Sequence, residues 1–329
     1  MSETLAQPAA TGAASWRHRH LLDVADLSRT DLEVILDRAE EMRRTIDERA
    51  ASRPQLLGRH VTILFYEAST RTRVSFEVAA RRLSADVVNI EVASSSATKG
   101  ESLADTVRTL EALGAEVLIV RHTRSGAAHA VASVFGGHVV NAGDGWHAHP
   151  TQALLDLFTL RRALGAERLL RGKIVIVGDV LHSRVARSNI WALTSFGAEV
   201  CVVGPATLLR GFQAWAGSLP GSRRLNVTTR LDEALRDADA VMGLRIQHER
   251  MADGLLPSLA EYRAGYQLTE ERLALCRPDA PVLHPGPMNE GVEIEASLAA
   301  GSRSLVTEQV RNGVPVRMAV LGLLCSQDP

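Results

Sequence analysis

Short apolar runs alternate with helical stretches along this chain, and that rhythm constrains the fold more than any other feature of the sequence. VTILFY, VVNI, VLIVRH and HVVNAG are strand-like, and helical patterns separate them, beginning with the stretch from about Thr70 to Leu83. In that stretch Phe76, Ala79, Ala80 and Leu83 recur at helical spacing. A βαβ succession of this kind implies a parallel sheet covered by helices on both faces. After the amphipathic helix TQALLDLFTLRRAL the rhythm restarts with KIVIVGD, EVCVVG, AVMGLRI and APVLHPG as strands. A chain of 329 residues is also long for one hydrophobic core. The expectation is an α/β protein of two domains, each a parallel β-sheet flanked by helices, with the boundary in or beside the 150–164 helix. LSRTDLEVILDRAEEMRR reads as an early helix capped by Ser28 or Thr30. The last stretch, SLVTEQVRNGVPVRMAVLGLLC, reads as a closing helix interrupted near Gly313 and Pro315. Its apolar face suits packing on either domain.

Composition narrows the function classes. A net charge of −1 argues against a general nucleic-acid or membrane binder, so any anion chemistry has to come from local clustering of cations. Cys201, Cys276 and Cys325 are far apart and odd in number, which suggests neither a disulfide framework nor a zinc site and fits a reducing cytoplasm. No apolar run approaches the roughly 18 residues that span a bilayer. The first 20 residues, small and alanine-rich, read as a disordered tail rather than a signal peptide.

Ligands of open parallel sheets bind at the carboxyl ends of the strands, so the residues following each strand are the place to look for chemistry. EASTRTR follows the first, Arg121-His122 the third, and DGWHAHPTQ the fourth. In the second half, LHSRVAR with Arg184 follows KIVIVGD, Arg245-Ile246-Gln247 follows AVMGL, and His284-Pro285-Gly286-Pro287 follows APVL. Five of these six segments combine a cation or histidine with amide or hydroxyl groups. In STRTR, a helix start offers free backbone N–H groups, Ser69 and Thr70 offer hydroxyls, and Arg71 offers a bidentate donor suited to phosphate. The plainer reading is that Ser69 only caps the helix and the arginines face solvent. His149 stands before Pro150, which pre-sets a helix start, and Gln152 follows within one turn. A neutral histidine there can donate to a carbonyl oxygen, although a histidine before proline is more often a loop or capping residue. HAH hints at a metal pair, but the sequence nearby completes no ligand set, so no metal is expected and His147 reads as surface. GDVLHSRVARS lacks the glycines of a dinucleotide fingerprint, which argues against a dehydrogenase.

These segments together resemble the aspartate/ornithine carbamoyltransferase family from about Leu21 to the C-terminal helix. FYEASTRTR resembles its carbamoyl-phosphate motif, NAGDGWHAHPTQALLDLFT its second signature, and RIQHER with HPGPMNEG its aspartate branch. The resemblance implies that Ser69, Thr70, Arg71 and Thr72 hold the phosphate of carbamoyl phosphate. It implies that Thr72, Arg121 and His149 bond the carbamoyl oxygen, that Gln152 bonds the carbamoyl nitrogen, and that Gly286 and Pro287 complete this site. Arg184, Arg245 and Gln247 would grip the carboxylates of L-aspartate, and Arg73 would be structural. A loop of the neighbouring subunit would add Ser95 and Lys99, with Ser94 and Ser96 as alternatives to Ser95, which makes a homo-oligomer with shared sites, a trimer, the expected state. By the same resemblance, residues 21–150 with the helix 303–325 bind carbamoyl phosphate, and 151–302 bind aspartate.

The implied reaction needs no cofactor or metal. The α-amine of aspartate attacks the carbamoyl carbon and phosphate leaves, in the committed step of pyrimidine synthesis. Positioning and charge stabilisation suffice for this, and with no carboxylate or cysteine placed as base, the amine proton goes to the departing phosphate. Two departures stand out: HPGPM has Gly286 where some members carry leucine, and the segment from Asp179 to Arg184 differs from well-known bacterial members. The rival within the family is ornithine carbamoyltransferase, whose H-C-L-P turn is replaced here by His284-Pro285-Gly286-Pro287. A non-catalytic scaffold is the rival from another class, and it fits poorly because every inferred catalytic position is filled. A regulatory or dihydroorotase partner is left open by the sequence.

Overall fold

A computed structural model of the chain describes residues 16–50, 54–91, 102–218, 224–247 and 258–326. The first half runs α1 (Arg29–Asp47), β1 (His60–Phe65), α2 (Thr70–Arg82), β2 (Asp86–Glu91), α3 (Leu103–Ala112), β3 (Val117–His122), α4 (Ala127–Ala132) and β4 (His138–Asp144). The second continues with α5 (Pro150–Leu164), α6 (Ala166–Arg171), β5 (Lys173–Val177), α7 (Arg184–Phe196), β6 (Glu199–Val203), α8 (Phe212–Ser218), β7 (Leu225–Thr228), α9 (Leu231–Leu235) and β8 (Ala240–Gly243). It closes with α10 (Leu259–Tyr266), α11 (Glu270–Leu273), β9 (Val282–Leu283), α12 (Ala296–Ala300) and α13 (Val306–Cys325).

The two sheets have the orders β2-β1-β3-β4 and β7-β6-β5-β8-β9, with parallel pairing throughout. Strands covered on both faces read as continuous apolar runs rather than alternating ones, and β1 and β4 are buried along almost their whole length. In the first sheet the order reverses between β1 and β3, and in the second between β5 and β8. Reversal opens a crevice at the carboxyl edge, because successive crossovers leave in opposite directions. EASTRTR and Arg121 flank the first crevice; Arg184 and Arg245 flank the second.

One apolar cluster joins the halves, from Val61 and Ile63 on β1 through Leu154 and Phe158 on α5 to Ile174 and Ile176 on β5. The closing helix differs from its expected form. α13 runs unbroken from Val306 to Cys325 with Pro315 inside it. Interior proline removes one backbone bond and costs about 3 kcal/mol in an isolated helix. Here residues 315–322 are all buried and α13 packs against α1, α2 and α5, so tertiary burial overrides the local break signal. The short strand β7, with its mixed burial, was not legible as a strand. All three cysteines are buried thiols, and no helix among the described residues is long and apolar enough to cross a membrane.

Candidate active site

Both crevices open into a single cavity of about 550 Å³, lined from the first half by Glu67 to Thr72, Arg121, His149 and Gln152. The second half contributes Arg184, Arg245, Gln247 and the turn from His284 to Pro287, and α13 contributes Gln309 and Arg317. The fold therefore gathers Ser69, Thr70, Arg71, Thr72, Arg121, His149, Gln152, Arg184, Arg245, Gln247, Gly286 and Pro287 around one space. Ser95 and Lys99, like Ser94 and Ser96, lie outside the described residues. Of the lining side chains, Arg71, Arg121, Arg184, Arg245 and Arg317 are cationic and Glu67 is the carboxylate among the described lining residues. Five positive charges against one leave a local excess of four in a chain whose net charge is −1.

The N-terminus of α2 is not simply a capped helix. Ser69 holds the N-cap position but makes no side-chain cap; its hydroxyl donates to Thr72 Oγ1 at 3.0 Å. The first turn thus has no side-chain cap from Ser69, and Ser69 to Thr72, which form it, line the cavity together with the exposed Arg71. The turn after β9 closes over them. Gly286 has φ +59°, and a Cβ there would stand 2.9 Å from the Arg71 guanidinium. The glycine in HPGPM accommodates both the left-handed backbone and that close approach.

Glu67 ties the two crevices together. Its Oε1 accepts from Arg121 Nη2 at 2.5 Å and Arg184 Nη2 at 2.6 Å, while Oε2 accepts from Arg184 Nη1 at 3.0 Å. Arg121 also donates to the Ala142 carbonyl at 3.1 Å and Arg184 to that of Gly145 at 3.2 Å. Gly143, at φ +120°, lies against both guanidiniums, where a Cβ would come within 3.0 Å of Arg184 and 3.1 Å of Arg121. Arg184 is thereby already committed at both terminal nitrogens. Beyond it, Gln247 is held to the loop after β5, its backbone N–H on Asp179 at 3.3 Å and its side-chain amide on the His182 carbonyl at 3.3 Å.

His149 is the buried N-cap of α5, and its backbone N–H donates to Ser188 Oγ at 2.9 Å. Burial, followed by the charges of Arg121, Arg184 and Arg317, holds its pKa well below the ordinary histidine value. The imidazole is neutral near pH 7, with one N–H to donate and Nδ1 unpaired. Gln152, one turn on, donates to Asp156 Oδ1 at 2.9 Å.

Glu67, Asp156, Gln309 and Arg317 were given no role from sequence. Two of them carry a visible signal: Asp156 interrupts the apolar run LLDLF, and Arg317 is a lone cation in VPVRMAV. Arg317 is buried, stacks 4.8 Å over the Phe76 ring, and has its pKa lowered to about 9, chiefly by burial. His147, expected at the surface, is half-buried between Asp144 and Asp23, at 3.1 Å from each. The two carboxylates raise its pKa to about 10. His129 lies beside Asp144 and His147, so three residues of metal-ligating type do meet at the HAH segment. Asp144, however, already accepts from Asn141, Gly126 and Ala148 as well as His147, which makes the cluster a loop anchor.

Comparison with known proteins places this architecture. Residues 19–162 match the family profile for the aspartate/ornithine carbamoyltransferase carbamoyl-P binding domain, and residues 171–324 match that for its Asp/Orn binding domain. The chain belongs to the aspartate/ornithine carbamoyltransferase family. It is 52% identical over 314 residues to the aspartate carbamoyltransferase catalytic subunit of Roseiflexus castenholzii, covering 95% of this chain and 97% of that one. The aspartate transcarbamoylase of Trypanosoma cruzi in complex with N-(phosphonacetyl)-L-aspartic acid superposes with a TM-score of 0.80 at 33% identity, over 92% of this chain and 94% of that one. The same enzyme in complex with carbamoyl phosphate and aspartate gives 0.79 at 32% identity, with the same coverage.

Proposed function

We infer that the chain is an aspartate carbamoyltransferase, transferring the carbamoyl group of carbamoyl phosphate to the α-amine of L-aspartate to give N-carbamoyl-L-aspartate and phosphate. This is the committed step of pyrimidine synthesis. The observation that carries the reading is the cavity itself: five arginines, an uncapped helix start and a neutral histidine face one space reached from both sheets. Two anionic substrates need that excess of cations, and an attacked carbonyl needs a neutral or cationic donor at its oxygen. Relatives across nearly the whole chain carry the aspartate name, which favours aspartate over ornithine.

Within this reading Ser69, Thr70, Arg71 and Thr72 hold the phosphate at the start of α2. Thr72, Arg121 and His149 bond the carbamoyl oxygen, where negative charge grows as the amine attacks. Gln152 takes the carbamoyl nitrogen, and Gly286 and Pro287 close the turn over it. Arg245 and Gln247 receive aspartate, with Arg184 holding its share of the site through Glu67. Residues 21–150 with 303–325 form the carbamoyl-phosphate domain and 151–302 the aspartate domain; the packing of α13 on α1 and α2 supports grouping that helix with the first, and its packing on α5 joins it to the start of the second. The amine proton passes to the departing phosphate. Ser95 and Lys99 act in the site of a neighbouring subunit of a cytoplasmic homotrimer.

The test is a product assay with carbamoyl phosphate and either amino acid. Carbamoyl-aspartate forms with aspartate, and little product forms with ornithine. Citrulline as the dominant product would move the chain to the other branch, and no product from either would make it a scaffold.

A further inference from the structure

We propose that Asp156 is a positioning residue that makes Gln152 a hydrogen-bond acceptor toward the cavity, and so selects a carbamoyl group over its methyl isostere, acetyl. The proposal rests on the reading of Gln152 as the residue at the carbamoyl nitrogen.

Asp156 is fully buried in α5 and meets three side-chain amides. Gln152 Nε2 and Gln309 Nε2 donate to its Oδ1 at 2.9 and 2.7 Å, and Asn189 Nδ2 donates to its Oδ2 at 2.8 Å. An amide can be turned end for end without changing its shape, so orientation has to come from chemistry. Two of the three are set independently of Asp156. Gln309 Oε1 accepts from the His284 backbone N–H at 2.9 Å, and an N–H only donates, so the other end of that amide, its Nε2, faces Asp156. Asn189 Nδ2 donates to the Val185 carbonyl at 3.1 Å, and a carbonyl only accepts, so that same nitrogen lies against Asp156. Both carboxylate oxygens are therefore acceptors.

Among the described residues Gln152 has no such backbone partner, and Asp156 is what orients it. With Nε2 turned to the carboxylate, Oε1 is left at the cavity wall. Among the described residues the charged group facing Asp156 is Arg317 on α13, while Gln309 on α13, Asn189 on α7 and Gln152 on α5 itself present neutral amides. The Arg317 charge favours the carboxylate form, and the carboxyl group, whose pKa burial raises to about 6, is ionised above that pH. An acceptor at this point matches an –NH2 and leaves a –CH3 facing an unpaired oxygen. The consequence is specificity: the site rejects an acetyl group that it has ample room to hold.

Two unreactive ligands of closely matching shape read this contact: phosphonoacetamide, which ends in –NH2, and 2-oxopropylphosphonate, which ends in –CH3. Calorimetric titration of the full-length enzyme with each, and with inorganic phosphate as a control, reads the discrimination directly. Wild type favours phosphonoacetamide roughly tenfold or more, the scale of one hydrogen bond and one orphaned acceptor. In Asp156→Ala the Gln152 amide is no longer held and can turn its oxygen away from a methyl group, so the ratio falls by about threefold or more, while inorganic phosphate binds as before. In Gln152→Met the ratio collapses in the same way, and adding Asp156→Ala to it changes the ratio no further. Equal binding of the two ligands by wild type would remove the role of Gln152 itself. A wild-type ratio that persists in Asp156→Ala, or a parallel loss for all three ligands, would overturn the positioning role alone. Should Asp156→Ala fail to fold, a crystal structure of wild type with phosphonoacetamide decides. Gln152 bridging the ligand nitrogen and Asp156 supports the assignment; Gln152 turned away from either overturns it.

Discussion

Replacing Glu67 by glutamine tests whether the two crevices are held as one site by a shared carboxylate. Glu67 accepts three hydrogen bonds from two guanidiniums, and the side chains are 22%, 10% and 7% exposed for Glu67, Arg121 and Arg184. All are below a third exposed, so solvent screening is partial. In Glu67→Gln the amide oxygen can take the place of Oε1, and its two bonds become those of a neutral acceptor, about half as strong. The amide nitrogen then faces Arg184 Nη1, donor against donor, and that bond is lost. With charge-assisted bonds contributing about 1.5–3 kcal/mol each, the gross loss is about 3–6 kcal/mol. Side-chain relaxation brings the expected destabilisation to about 2–4 kcal/mol. Urea unfolding at fixed protein concentration measures it, and steady-state kinetics measure the second effect. Arg121 and Arg184 lose their common anchor, and kcat/KM for aspartate falls about 10- to 100-fold, equivalent to about 1.4–2.8 kcal/mol. A Glu67→Gln enzyme with the wild-type urea midpoint and wild-type kinetics would refute the bridge, because it would mean that each arginine is positioned without it.

Arg71→Ala and His149→Ala lower kcat by roughly 10²- to 10³-fold, the usual result of removing a donor that acts on developing charge, whereas Arg245→Ala also raises the aspartate KM; an unchanged aspartate KM in Arg245→Ala would contradict the substrate assignment. Asp156 has a native pKa raised from 3.8 to about 6 by burial, so the native state binds its proton more tightly than the unfolded state. Its contribution to stability falls as pH rises through that window, by on the order of 3 kcal/mol. Asp156→Asn lacks this fall and keeps an oxygen for Gln152 and Gln309. Urea unfolding at pH 5 and pH 8 is expected to show the variant gaining on wild type at the higher pH while keeping the phosphonoacetamide preference. Mixing inactive Lys99→Ala and Arg71→Ala subunits restores activity if sites are shared between neighbours, and verified subunit exchange with no recovery counts against a shared site.

The elements were legible because their signals are local. Apolar runs and helical spacing place β1, β3, β5 and β8, and the rule that ligands sit at strand ends picks out EASTRTR, Arg121, Arg184 and Arg245. Ser69 illustrates the limit of that information. Sequence admitted both a cap and an anion site, and the choice depended on whether its hydroxyl turned to the backbone or, as it does, to Thr72. Pro315 shows the same limit from the other side: the local signal says break, and the burial of α13 outweighs it.

Local patterning alone carries the alternation of strands and helices apart from β7, the class of fold and the set of strand-end segments from which the cavity is built. Which distant groups meet there depends on how the chain packs. Glu67 stands 117 positions from Arg184, and Asp156 stands 153 from Gln309. Periodicity carries information over a few turns of chain, whereas hydrogen bonds between buried charges depend on how sheets and helices pack. The partners of Glu67 and Asp156 therefore became visible only in the folded chain.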